Sequence, residues 1–251
     1  MKRTEMSKQG KNQADTNADE IKALIADLGS KDDVIRLNAS RVLLRKREAA
    51  VRPLVEALSN PDERTHLEAG KILDEIDVDW SKFRDAPTIS ALVGALGIPD
   101  GLIRVTARQV LVMIGKEAVA PLTQALTSKD NRQRWEAAKA LGQIGDPGAT
   151  DALITALEDD MFDVRWLASE ALVAIGHKAI VPLLRALAKK SESLWLREGA
   201  HHFLHGIDMS NIRNVLMPVR QALEDVDSPL KLPFVVHAAL KALTGNSTSA
   251  S

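Results

Sequence analysis

Three of the six histidines fall together in REGAHHFLH, residues 197–205, and paired imidazoles are a common start of a metal site. On a helix, His201 and His205 stand four apart on one face, a spacing that suits two ligands of one ion. Glu198 lies one turn earlier. The glutamate of a metalloprotease motif is absent, and no third ligand is evident. The expectation is that these rings pack or face solvent, with no metal and no other cofactor; His201 and His205 stay as weak metal candidates. The remaining chemistry is narrower still. The chain has no cysteine, which removes disulfides, thiolate metal sites and Cys nucleophiles together. Arg36, Arg104, Arg134 and Arg165 resemble catalytic candidates only until their regular register is noticed. A charge that recurs once per unit is read as a structural ladder, bonding carboxylates such as Asp33 and Asp163 or backbone carbonyls, a task suited to a forked guanidinium. No catalytic residue is assigned.

The elements that must position these residues are announced by an internal repeat. PLVEAL, ALVGAL, PLTQAL, ALITAL and PLLRAL share one pattern and end at Leu58, Leu96, Leu126, Leu157 and Leu187. Weaker copies, ALIADL and PVRQAL, end at Leu28 and Leu223, and the successive intervals are 30, 38, 30, 31, 30 and 36 residues. Eleven residues after the anchors come Ala39, Ala69, Ala107, Ala137 and Ala168; fifteen after come Leu43, Leu73, Leu111, Leu141 and Leu172. Eighteen after come Ile76, Ile114, Ile144 and Ile175, the last three followed by Gly115, Gly145 and Gly176. Steps of four and three place these residues on one face of a helix, and the glycine suits a left-handed cap at its end. Pro53, Pro121 and Pro182 are expected at the start of each first helix, where a missing N–H costs little. Each unit thus reads helix, turn, helix, turn. A hairpin of this size cannot bury its apolar face alone, so neighbours must stack. The expected fold is all-α, a right-handed α-solenoid of about seven hairpins. The units fall near 20–50, 51–78, 87–115, 116–145, 146–176, 177–208 and 212–244, in one array over 20–244. The longer connections VDWSKFRDAP and DMSNIRN are read as loops or extra turns.

Composition agrees. Of 251 residues, 45% are hydrophobic and 27% charged, but only 3% are aromatic and none is Tyr, as suits thin helices packed through Ala and Leu. No uninterrupted apolar run approaches the ~20 residues of a membrane span, so no membrane association is expected. Residues 1–19 and 245–251 are polar without periodicity and are read as disordered tails. The start lacks a secretory apolar segment, so a cytoplasmic location is expected. A formal charge of -1 disfavours nucleic acid. The basic stretch from Arg41 to Arg52 is read as a solvated end cap, and the acidic DEIDVDW soon follows it.

At the segment NRQRWEAAKALGQIGDPGATDALITALEDDMFDVRWLASEALVAIG the sequence resembles the HEAT-like repeats of the phycobilisome lyase type. The resemblance covers roughly residues 20 to 243. It implies a solenoid whose second helices line a concave groove, and it is specific for fold rather than function. Members include a di-iron hydroxylase, whose ligands are adjacent His-Glu pairs, and no such pair occurs in this chain. They also include chromophore lyases, so a phycobilin lyase-like attachment factor, or another HEAT-repeat enzyme subunit, is the alternative reading. By the resemblance, positions 9, 10, 13 and 17 after the anchor face the groove. The groove of units four to six then holds Trp135, Glu136, Lys139, Trp166, Leu167 and Glu170 and, through a two-residue shift of register in unit six, Trp195, Glu198 and His202. Three of the four tryptophans fall there. Either they cross the seams between repeats as core, or they form an exposed apolar stripe flanked by charge, the usual mark of a protein interface. The second reading is favoured, so the expected function is a non-catalytic scaffold or adaptor that grips another protein.

Overall fold

A computed structural model describes residues 16–225 and 227–245, and among these every regular element is helical. The chain divides into two compact units that meet in sequence at Ile114 and Gly115, one residue from the expected junction of the third and fourth repeats. In the first unit, α1 (16–27), α2 (Asp33–Lys46), α3 (Glu48–Ala57), α4 (Glu63–Glu75), α5 (Ala86–Ala95) and α6 (Gly101–Ile114) follow one another. The second unit holds α7 (Val119–Ala125), α8 (Asn131–Ile144), α9 (Thr150–Ala156) and α10 (Phe162–Ile175). It continues with α11 (Ile180–Lys189), α12 (Leu194–Gly206), α13 (Arg213–Glu224) and α14 (Ser228–Gly245).

The period dictates the packing. Within each unit second helices lie against second helices, α2 on α4 on α6 and α8 on α10 on α12. The alanines eleven residues after each anchor and the leucines fifteen after are buried at every copy, from Ala39 and Leu43 to Ala168 and Leu172. Small residues set the separation of α8 and α10: a methyl built on Gly142 would stand 3.2 Å from Cβ and 3.3 Å from Cα of Ala171. Entry to the second helices is set by aspartates. Asp32, Asp62 and Asp130 accept from the amides of Val34, Thr65 and Arg132 at 2.8, 2.8 and 2.9 Å. Exit is set by Gly115, Gly145 and Gly176, whose φ values of 79°, 66° and 71° lie in the left-handed region, as the sequence implied. In the first hairpin that place falls to Arg47, φ 48°, so the poorest match to the repeat also carries the strained turn.

Several expectations are corrected. Residues 16–19 belong to α1 rather than to a tail, because Lys46 Nζ donates to Asn17 Oδ1 at 2.8 Å and to Glu20 Oε2 at 2.6 Å and ties that helix to α2. The rest of the expected N-terminal tail, and residues 246–251, lie outside the described residues. Pro53 stands inside α3 rather than at its start, since the helix begins at Glu48 directly after the Arg47 turn. Pro121 and Pro182 do fall in the first turns of α7 and α11. The connection VDWSKFRDAP takes the second of its two expected forms, an extra turn. It forms a 3-10 turn, Trp80–Lys82, that buries Trp80 against Phe83 with ring centroids 5.8 Å apart. An 18-residue window within Phe162–Lys189 has a mean hydropathy of 1.6, apolar enough for a membrane span, yet the stretch is two helices parted by a 3-10 turn at Gly176–Ala179.

Candidate functional site

The arginine ladder is visible as one repeated hydrogen bond. Nη1 of Arg36, Arg104, Arg134 and Arg165 donates to the carbonyl six residues earlier: Ser30, Ile98, Ser128 and Asp159, at 2.8, 2.9, 2.9 and 2.8 Å. Each clamps the turn that precedes its helix. In the second hairpin His66 takes the same place, with Nδ1 3.1 Å from the carbonyl of Asn60. The arginines also form ion pairs, though not all those expected. Arg36 pairs with the exposed Asp33, but Arg134 reaches into the next turn and forks onto Asp159 at 2.7 and 3.0 Å. Burial pushes the Asp159 carboxyl up, and hydrogen bonds from Arg134 and the Met161 amide outweigh that and hold it below its ordinary value. These groups hold turns and are consumed by one another.

The aromatic residues of α8, α10 and α12 make a different surface. Trp166 is 48% exposed, Trp195 42% and Phe162 62%. Phe162 stacks on Trp166 at 6.4 Å between centroids, being one helical turn before it, and the His202 ring meets the other side of Trp166 at 4.4 Å. His202 Nε2 is in turn hydrogen bonded to Glu170, which fixes the imidazole across the α10–α12 seam. Arg165 lies over the Trp195 ring at 4.4 Å and near Phe162 at 5.7 Å, while Lys139 Nζ sits 4.6 Å above Trp135. Ser169 Oγ donates to the carbonyl of Gly199 at 3.0 Å, which holds α10 and α12 close beneath this surface. The result is a partly exposed aromatic and cationic stripe on a rigid helical layer, a surface able to bury apolar groups beside charge.

Of the residues placed in the groove by sequence, Trp166, His202 and Glu170 are linked by contact, Trp195 joins them through Arg165 and Phe162, and Trp135 with Lys139 forms a separate pair on α8. Leu167 is half-buried beside Trp166. Glu136 is not on the surface. It is 3% exposed, because one step along α8 from Trp135 turns a side chain into the layer between helices. Glu198 turns instead toward α13 and lines a cavity of about 530 Å³ with Leu194, Arg197, His201, Glu224 and Ser228. Sequence reasoning missed Phe162 and Arg165 on the aromatic stripe; the four-residue step from Phe162 to Trp166 was the signal that could have found the first.

The second cluster stands on α12's other flank. His201 Nε2 and His205 Nε2 converge on Glu224 Oε1 of α13, at 3.5 and 3.3 Å, with the two imidazole centroids 4.4 Å apart. Arg220 Nε approaches the same carboxylate at 3.5 Å. Hydrogen bonding from His205 first, then from His201 and Arg220, holds the Glu224 carboxyl below its usual range. The three ligand-type atoms lie within 4.8 Å of one another. The sequence offered the two histidines without a third partner, and the fold supplies one nineteen residues beyond His205.

Comparison with known proteins places this geometry among helical repeats. The family model of HEAT repeats matches residues 89–172. No curated protein matches the chain. Crystal structures of two engineered proteins are similar to it: one at 24% identity, covering 74% of this chain and 96% of its own, TM-score 0.42, the other at 25% identity, covering 78% and 98%, TM-score 0.43. Human deoxyhypusine hydroxylase in complex with glycerol matches at 19% identity over 76% of this chain and 96% of its own, TM-score 0.38. With TM-scores below 0.5, these likenesses carry no argument about activity.

Proposed function

We propose that this HEAT-like repeat protein is a non-catalytic, cytoplasmic scaffold or adaptor, and that it grips another protein through the stripe on α8, α10 and α12. One observation carries the reading. Phe162, Trp166 and Trp195 stay 42 to 62% exposed although ring and cation contacts hold them in place. Large aromatic rings left half in water yet already ordered lose little freedom on binding, and such rings dominate protein interfaces. Arg165 beside Phe162 and Trp195 favours a partner segment that offers apolar side chains with a carboxylate at its edge. The phycobilisome lyase subtype of the repeat is part of the same proposal and is supported by the sequence resemblance alone.

The test compares native-extract capture by wild type, by the Phe162→Ala, Trp166→Ala double variant and by Phe234→Ala on α14, with folding of all three checked by circular dichroism. A protein held by wild type and Phe234→Ala, and bound at least ~30-fold more weakly by the double variant, is the expected result; that ratio corresponds to about 2 kcal/mol, the ordinary weight of one aromatic hot spot. Equal retention by all three folded proteins would sink the proposal.

A further inference from the structure

We propose that His201, His205 and Glu224 bind a divalent transition-metal ion of the zinc type, with a fourth position open toward the neighbouring cavity. Distances favour it. Two ligands on a tetrahedral ion, each ~2.1 Å from it, stand about 3.4 Å apart. Glu224 Oε1 lies 3.5 Å from His201 Nε2 and 3.3 Å from His205 Nε2. All three donor atoms lie within 4.8 Å of one another, so only small side-chain rotations are needed to centre an ion.

Three further features agree. The histidines stand four apart on α12, so the helix aims both Nε2 atoms the same way without strain. Glu224 is the last residue of α13, a 12-residue helix whose C-terminal end carries partial negative charge and favours a cation. Arg220, one turn earlier on α13, is placed to orient the carboxylate from outside the ligand set. The cavity of about 530 Å³ beside His201 and Glu224 is lined also by Arg197, Glu198 and Ser228. That cavity leaves room beside the ion for a metal-bound water or an exogenous ligand. Two imidazoles with one carboxylate select zinc, copper or nickel over magnesium and calcium. The ion would tie α12 to α13 and so fasten the last hairpin.

The experiment is equilibrium dialysis of the tag-free full chain against zinc chloride at pH 7.5, repeated with magnesium chloride. Wild type and the surface control His237→Asn are expected to bind one zinc per chain and no magnesium. Glu224→Gln, which keeps the side chain's shape, and His205→Asn are each expected to weaken zinc at least tenfold, with unchanged circular dichroism. Zinc should raise the thermal midpoint of wild type and leave that of Glu224→Gln in place. Absence of stoichiometric zinc on folded wild type overturns the proposal, and so does zinc held equally by wild type and Glu224→Gln.

Discussion

Replacing Arg134 with Ala tests whether the arginine ladder holds the fold. Arg134 forks onto Asp159 at 2.7 and 3.0 Å, and the two side chains are 11% and 9% exposed. Its remaining Nη1 bond clamps the turn at Ser128. Removing the guanidinium takes two donors from a carboxylate that keeps the Met161 amide, at 2.9 Å. Breaking a fully buried pair costs roughly 3–5 kcal/mol, whereas an exposed pair contributes about 0–1. Asp160, the third member of this cluster, is 82% exposed, so solvent screens part of the site and a loss of about 2–3 kcal/mol is expected. For a chain of this size that lowers the thermal midpoint by about 5–10 °C. The matching change at Arg36, whose partner Asp33 is 87% exposed, should cost less than ~1 kcal/mol. Urea unfolding of both variants measures the difference. The pH dependence has a definite sign. The Asp159 carboxyl is held below its unfolded value, so its contribution is present above pH ~4 and is lost as pH falls through the lower folded value. Without Arg134, burial pushes the same carboxyl up, so acid relieves the variant, and the gap between wild type and variant should narrow from pH 7 toward pH 4. Equal losses at Arg134 and Arg36, or a gap that widens in acid, would refute the reasoning.

Trp80 and Trp166 should separate cleanly. Trp80→Ala, at 7% exposure and packed on Phe83, is expected to cost about 3–5 kcal/mol, and Trp166→Ala, 48% exposed, about 1 kcal/mol, both read by urea denaturation. Gly142→Ala gains about 1 kcal/mol of helix propensity, yet its methyl would press on the Ala171 backbone at 3.3 Å. A net loss of about 1–2 kcal/mol is expected by calorimetry, and a stabilised variant would show that the α8–α10 spacing yields.

The repeat was legible because one packing solution is reused. Alanine at one helical position and leucine one turn later were read from the register, and Ala39 through Leu172 are buried as the period demands. The glycine exits were legible for the same reason, since Gly115, Gly145 and Gly176 all need a positive φ. What the register missed lies where it is broken. Trp80 and Phe83 sit in an insertion, so no period marks them as core. Glu136 follows the groove tryptophan by one residue, and only the real rotation of α8 shows that it points inward. Unit six departs from the register as well. Its two-residue shift sets Trp195 under the Arg165 of unit five and turns His202 onto Trp166. The same shift leaves His201 and His205 facing α13, where the partner Glu224 comes from a different hairpin and no spacing rule links them. Periodic positions in such a chain are spoken for by packing, so chemistry has room chiefly where the period slips. Both surfaces, the aromatic stripe and the histidine–glutamate cluster, draw on α12, a helix whose register is shifted against that of its neighbours.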